Sequence, residues 1–474
     1  MATAALAPSR LPGPRHVPLI GWRAYALPFF RDPLGYMSKL RQAYGNVVAW
    51  DEQNAQIVFA FGPEYNRQLF SDQELFFSDP FNNLPAPEGS AMLTLRSGLL
   101  NMNGDKHKQQ RRLMMPAFHK KQVETYRDDM VMLTQRVLDG WYVGQPLDVA
   151  AEMRKLTMSI ATKTLFGLDV PPNAESIGGV ISRMLELLTS TSVNVLPRDL
   201  PGTTFREMLG VAERLDAGIK EIIARKRAQS TDSADVLSML IHARDEDGAA
   251  MTDVELVAQA YTLFVAGHET SSNALTWTLF LLSQHPRILN DLRDELAAVL
   301  HGAPPTIEQL SQLPLLERVI KESMRLLPPA SFGSRISTAP FKLGPYDLPK
   351  QTSVIFSQYV THHMPELYPQ PERFLPERWE RIAPSLYEYL PFGAGPRMCI
   401  GATFAMTEIK IVLAIILQHY GLMLAPNARI DRSIKVTLGT RRGMPMVTLP
   451  ANRPVPRIEP RGDIREMVDL TARA

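Results

Sequence analysis

Two rhythms of apolar and polar positions run along this chain. Near its start, Val47–Ala49 and Gln56–Phe61 flank a polar tip at Asp51–Asn54, a pattern that predicts a β-hairpin. Helical spacing of apolar residues then covers Gln122–Trp141, Ala151–Phe166, Ser176–Thr189, Phe205–Gln229 and Ala234–Arg244. It continues through Asp253–Ser283, Pro286–Leu300 and Leu315–Leu326, and returns at Ile400–Tyr420. Short strands are expected around Lys435–Leu438 and Met446–Leu449. The fold class that follows is mainly α with small β-sheets, in one large domain over residues 1–454. The last twenty residues, 455–474, rich in proline and charge, read as a C-terminal tail.

Proline sharpens this picture. Only Pro286 interrupts Gly202–Ala303, whereas seven prolines fall between Met364 and Met398. The middle is therefore helical, and the later stretch is an extended connection in which proline denies regular helix. Charge is balanced, 51 Lys+Arg against 49 Asp+Glu, which excludes a nucleic-acid binder held by a broad basic surface. No membrane anchor is expected. The apolar start, Met1–Ala7, is too short for a span, and the apolar-leaning Tyr261–Leu282 is broken by His268 and Glu269. A single cysteine, Cys399, rules out an internal disulfide and any multi-cysteine metal site, so a reducing, cytoplasmic setting is expected.

The chemistry gathers at that cysteine. Phe392-Gly393-Ala394-Gly395-Pro396-Arg397-Met398-Cys399-Ile400-Gly401 joins a tight glycine loop to the start of a helix. The sulfur stands at a helix N-terminus with Arg397 nearby, and both favour a thiolate. Gly401 removes a side chain where something flat can approach the backbone. A lone cysteine is more often a small buried hydrophobe; the loop around this one reverses that balance. Two other motifs fail: Gly393-x-Gly395 meets Met398 where a dinucleotide loop needs glycine, and His268-Glu269 meets Ser272 where a zinc site needs histidine.

Phe392-x-x-Gly395-x-Arg397-x-Cys399-x-Gly401 resembles the haem-binding signature of the cytochrome P450 superfamily at every defined position. The resemblance implies haem b (iron protoporphyrin IX), lying between the long central helix and the helix after the Cys loop, with Cys399 as axial thiolate. It further implies that Phe392 shields the sulfur, that Gly393 and Gly401 shape the loop around the cofactor, and that Arg397 pairs with a propionate.

Other segments resemble the same family. Glu322-x-x-Arg325 is followed by Leu326-Leu327-Pro328-Pro329, and Arg373 in Pro371-Glu372-Arg373-Phe374 is expected to complete a buried Glu–Arg–Arg triad. Ala266-Gly267-His268-Glu269-Thr270-Ser271 resembles the oxygen-binding segment. Ala266 and Thr270 share a helix face there, Gly267 leaves room for a ligand, and Glu269–Thr270 form an acid–alcohol proton relay. The Thr270 hydroxyl is also expected to bond back to the Ala266 carbonyl. His107, Arg111 and Arg335 match positions that bind propionates.

The implied function is monooxygenation: one atom of O2 enters an apolar organic substrate of fatty-acid, terpenoid or macrocycle size, by hydroxylation or epoxidation. Substrate contacts are expected among Phe81, Leu84, Met92, Leu93, Met184, Leu188 and Phe332, although helix-spaced Leu and Met are more often plain core. No flavin or nicotinamide motif is present, so electrons come from a ferredoxin or flavodoxin with its reductase. A peroxide-using haem-thiolate enzyme or isomerase and a non-catalytic haem sensor are the alternatives. Thr270 argues against the first, and the lack of an output region against the second.

Overall fold

The structure is a computed structural model that describes residues 11–471 except 22, 79–83, 170–176, 189, 191, 194–196 and 230–233. Its chain is mostly helical with small sheets, and it groups into two compact units. The first comprises Met1–Asn83, Ala330–Glu372 and Ile382–Cys399; the second comprises Leu84–Pro329, Arg373–Arg381 and Ile400–Ala474.

A five-stranded sheet organises the first unit, in the order Val47–Asp51, Asn54–Ala60, Ser353–Phe356, Gly333–Ser337, Phe76–Ser78. The expected hairpin is its edge, with Val47 opposite Ala60. Asn54–Ala60 then pairs in parallel with Ser353–Phe356, a partner almost three hundred residues away that no local pattern announces. Phe59, Phe61, Val354 and Phe356 are buried, as β-branched and aromatic residues on a packed sheet should be.

The second unit is built around the long helix, Asp253–Gln284. A capping box starts it: the Glu255 amide donates to the Thr252 hydroxyl at 3.3 Å, and the Thr252 amide donates to the Glu255 carboxylate at 3.0 Å. Pro286 ends it and opens the next helix, Pro286–Leu300. Pro314–Leu326 likewise starts on proline and stops before Pro328. Ala402–His419 follows the Cys loop and buries Ile409 together with every residue from Ile411 to Leu417. Among the described residues it is the one helix long and apolar enough to cross a membrane. More than half of it is buried among its neighbours.

Two expectations change. Gln122–Trp141 is two helices, Lys120–Thr125 and Arg127–Leu138, broken at Tyr126. That residue is buried, and its hydroxyl donates to the Ala234 carbonyl at 3.0 Å, a tertiary anchor that competes with helix continuity. The segment read as a tail is folded onto the second unit through 471. Val455, Ile464, Met467, Val468 and Leu470 are buried, and the Arg461 amide donates to Ala428 at 2.8 Å. Its apolar residues are spaced too irregularly among prolines to give a period, yet there are enough of them to bury.

Candidate active site

In the first unit the Cys loop is a hydrogen-bonded coil. The Gly393 amide donates to Leu390 at 3.0 Å, Met398 to Gly395 at 2.9 Å, and Cys399 to Phe392 at 2.8 Å. Gly393 and Gly395 take φ of 70° and 65°, the left-handed region that favours glycine. Space imposes the same choice at 395, where an added Cβ would lie 2.2 Å from the Phe70 carbonyl oxygen. The loop leaves Cys399 exposed, unusual for a free cysteine and suited to a ligand. Phe392 is half-buried beside it in the loop.

Arg335, on strand Gly333–Ser337, is brought near Arg397 by the sheet. Its guanidinium lies 5.3 Å from the ring centres of both Phe70 and Phe356 and donates to the Ser334 carbonyl at 2.9 Å. No carboxylate among the described residues pairs with it. Burial, with the Arg397 charge beside it, lowers its pKa to about 10. A cation held this way is stabilised by an anion such as a propionate.

In the second unit the long helix shows a gap in its burial. From Leu256 to Gln284 every residue is buried except Val265, Ala266, Gly267, Glu269 and Thr270. A Cβ on Gly267 would meet nothing within 4 Å, so open space lies beside this turn. The Thr270 hydroxyl donates to the Ala266 carbonyl at 2.7 Å, the anticipated back-bond. His268 points the other way: its ring lies 3.1 Å from the Phe264 carbonyl, and its own carbonyl accepts from Thr157 at 2.9 Å. Burial lowers its pKa, so it is a neutral packing residue.

His107 and Arg111 share the inner face of Gly104–Met114, His107 buried and Arg111 half-buried. Between them Gln110 accepts from Gln259 of the long helix at 3.2 Å, which fixes this face toward that helix. Gly401 caps Ala402–His419 at φ −89°, a conformation open to any residue. Of the apolar residues expected at a substrate, Met92 and Met184 are packed into the core and Leu93 is exposed. Phe81 lies outside the described residues.

The charged triad has a different third member. Glu322 accepts from Arg325 Nε and Nη2, both at 2.9 Å, and from Arg378 Nε at 2.8 Å. Trp379 Nε1 at 3.0 Å and the Leu375 amide at 3.1 Å complete its shell. Arg373 contributes its backbone carbonyl, which accepts from Arg325 at 3.1 Å. The turn Pro376–Glu380 swings Arg378 and Trp379 together onto the carboxylate, a geometry that motif spacing does not encode.

One acid escaped the sequence reading. Glu408 lies in the apolar helix Ala402–His419, fully buried, hydrogen-bonded to Ser271, with Oε2 unpartnered among the described residues. Desolvation raises its pKa to about 8 against an ordinary 4.5, only partly offset by Ser271. The folded protein therefore keeps a proton that the unfolded chain has lost. This proton-linked stability is full below the unfolded value and is lost as pH rises through the folded one, at up to about 1.4 kcal/mol per pH unit. Glu408→Gln should gain on the native protein by a few kcal/mol between about pH 5 and pH 8 in urea unfolding. A constant difference would mean that Glu408 is already ionised when folded.

Comparison with known proteins follows the same lines. The cytochrome P450 family model matches residues 11–446, spanning both units. Cyclooctat-9-en-7-ol 5-monooxygenase of Streptomyces melanosporofaciens is 31% identical over 422 residues, 87% of this chain and 90% of that protein. Cyclooctatin synthase of the same organism is 32% identical, over 91% of this chain and 94% of its own. Pentalenene oxygenase of Streptomyces avermitilis is 29% identical, over 88% and 92%. Among solved structures, retinoic acid bound cyanobacterial CYP120A1 aligns with a TM-score of 0.81 and 26% identity, over 94% of this chain and 100% of that one. The chain thus belongs to the cytochrome P450 family, an oxygen-incorporating monooxygenase whose haem takes its thiolate from Cys399, the one cysteine in the sequence.

Proposed function

We propose that this enzyme oxygenates a terpenoid-like apolar substrate beside the open turn of its long helix, with electrons from a separate ferredoxin or flavodoxin and its reductase. The observation that carries the reading is the gap in burial at Ala266, Gly267, Glu269 and Thr270 within an otherwise enclosed helix. The relatives support the substrate class, since their names specify cyclooctat-9-en-7-ol and pentalenene as compounds acted on.

Haem on Cys399 supplies, when bound, the electron-rich iron at which dioxygen is activated. Arg397, Arg335, His107 and Arg111 hold its propionates, and the cation at Arg335 is the strongest support for that role. Phe392, Gly393 and Gly401 give the sulfur a shaped, half-covered loop. Ala266 and Gly267 keep the helix surface low enough for substrate and oxygen. With its proton committed to the Ala266 carbonyl, the Thr270 oxygen presents lone pairs to the open side, and rotation of the hydroxyl turns it into a donor. Glu269, half-exposed on the adjoining position, hands protons inward from solvent.

The test is turnover of a cyclic terpenoid with a ferredoxin and reductase, reading product and hydrogen peroxide together. Thr270→Val should keep haem and substrate binding, and lose roughly 10²–10⁴-fold in product while peroxide rises. Glu269→Gln should lower product and reductant use in parallel. Tight coupling in Thr270→Val would leave the hydroxyl a helix-bonded structural group only.

A further inference from the structure

The ribbon formed by Arg432–Ile434 and Leu438–Thr440 holds only three residue pairs, too few to stand alone in water. Its far end hangs on the long helix of the same unit. Asn273 Nδ2 donates to the Thr437 hydroxyl at 3.0 Å, Trp277 Nε1 donates to the Leu438 carbonyl at 2.9 Å, and the Leu438 amide donates to Pro329 at 2.8 Å. Gly439 passes so near the helix that an added Cβ would lie 2.8 Å from Asn273 Oδ1. Thr270, Asn273 and Trp277 are spaced i, i+3 and i+7, so the ribbon sits on the stripe that carries the hydroxyl of the open turn, about one turn further along.

Its near end is held by the C-terminal segment, which lies beyond the residues 11–446 that match the family model. The Arg432 amide donates to Asp463 Oδ1 at 2.6 Å, and the buried Arg432 guanidinium reaches the Asp463 carbonyl at 3.2 Å and Glu466 at 3.0 Å. The Ile430 amide donates to Arg461 at 2.8 Å, and the Ile464 amide donates back to Ile430 at 3.3 Å. Gly462, at φ 101°, makes this approach possible, since a Cβ there would lie 2.3 Å from the Ile430 carbonyl oxygen. We propose that residues 455–471 are a strap that positions the ribbon against the long helix, with Asp463 and Glu466 acting as positioning residues through Arg432. Given a substrate beside the open turn, the reading on which this rests, the strap sets how firmly that space is walled.

Hydrogen exchange and ligand titration of the haem-loaded protein test it. In Asp463→Ala with Glu466→Ala the Leu438 amide should exchange at least about tenfold faster than in the native protein, because charge-assisted bonds at the base of the ribbon are lost. The bulky probe N-tritylimidazole should bind the haem iron roughly threefold to tenfold more weakly, since a loosened wall must be ordered around it. Imidazole itself, too small to reach the wall, should bind as before. Asp463→Asn keeps an acceptor for the Arg432 amide and should hold both readouts near native values. The buried Ile464, Met467, Val468 and Leu470 still anchor the strap in these variants. Should the double variant fold poorly, Glu466→Ala alone, at an exposed side chain, should give a smaller change in the same direction. Unchanged exchange at Leu438 overturns the proposal. So does faster exchange with native N-tritylimidazole affinity, which leaves the strap a purely structural tie. If both shifts appear but the native protein oxidises no cyclic terpenoid, the strap stands and the substrate class falls.

Discussion

Cys399→Ala eliminates the strongly red-shifted carbon monoxide band of the reduced protein. No second thiol exists in the sequence to replace it. The loop itself should survive, because its hydrogen bonds run through backbone atoms, from the Cys399 amide to Phe392 and from Met398 to Gly395. Its left-handed turns at Gly393 and Gly395 are likewise untouched. Haem bound to the folded chain adds to its stability, so losing the ligand should also lower haem retention and the melting temperature of the loaded protein. The diagnostic result is complete loss of the thiolate signature in a chain that still folds. A retained band in Cys399→Ala would overturn the assignment of the ligand and with it the proposed chemistry.

Removal of Glu322 is the largest expected loss of stability. Its carboxylate gathers two guanidinium groups, an indole and a backbone amide, and Arg325 is fully buried. Glu322→Ala strands Arg325 and Arg378 as buried charges, at a cost of about 3–5 kcal/mol. Urea unfolding and haem retention on a desalting column are the measurements. The refined geometry makes a sharper companion test: Arg378→Ala should cost far more than Arg373→Ala, whose carbonyl contact to Arg325 remains. Equal costs for the two arginines would place Arg373 in the charged shell after all.

Much of the helical frame was legible because burying an apolar stripe imposes a period. Pro286–Leu300 lies where its pattern and bounding prolines place it, and the long helix ends one residue beyond expectation. The Cys loop was legible for a different reason. Tight backbone angles and a close approach to Phe70 leave glycine as the acceptable residue, so geometry is written directly into identity. What stayed hidden depends on partners distant in sequence. Strands Gly333–Ser337 and Ser353–Phe356 are too short to stand out, and a parallel neighbour in Asn54–Ala60 orders them.

The sequence by itself determined the kind of protein: mainly helical, with one cysteine in a glycine loop at the head of a helix and an acid–alcohol pair on a long central helix. These are local statements, set by chain stereochemistry and by a period repeated within a few turns. The tertiary structure decided which charges meet and which are deprived of water. It selected Arg378 over Arg373 for Glu322, since a proline-started turn sets side-chain direction. It raised the pKa of Glu408 to about 8, since desolvation depends on everything packed around a carboxyl and not on its neighbours in the chain. It folded 455–471 onto the second unit, because enough scattered apolar residues can be buried there without any period to reveal them.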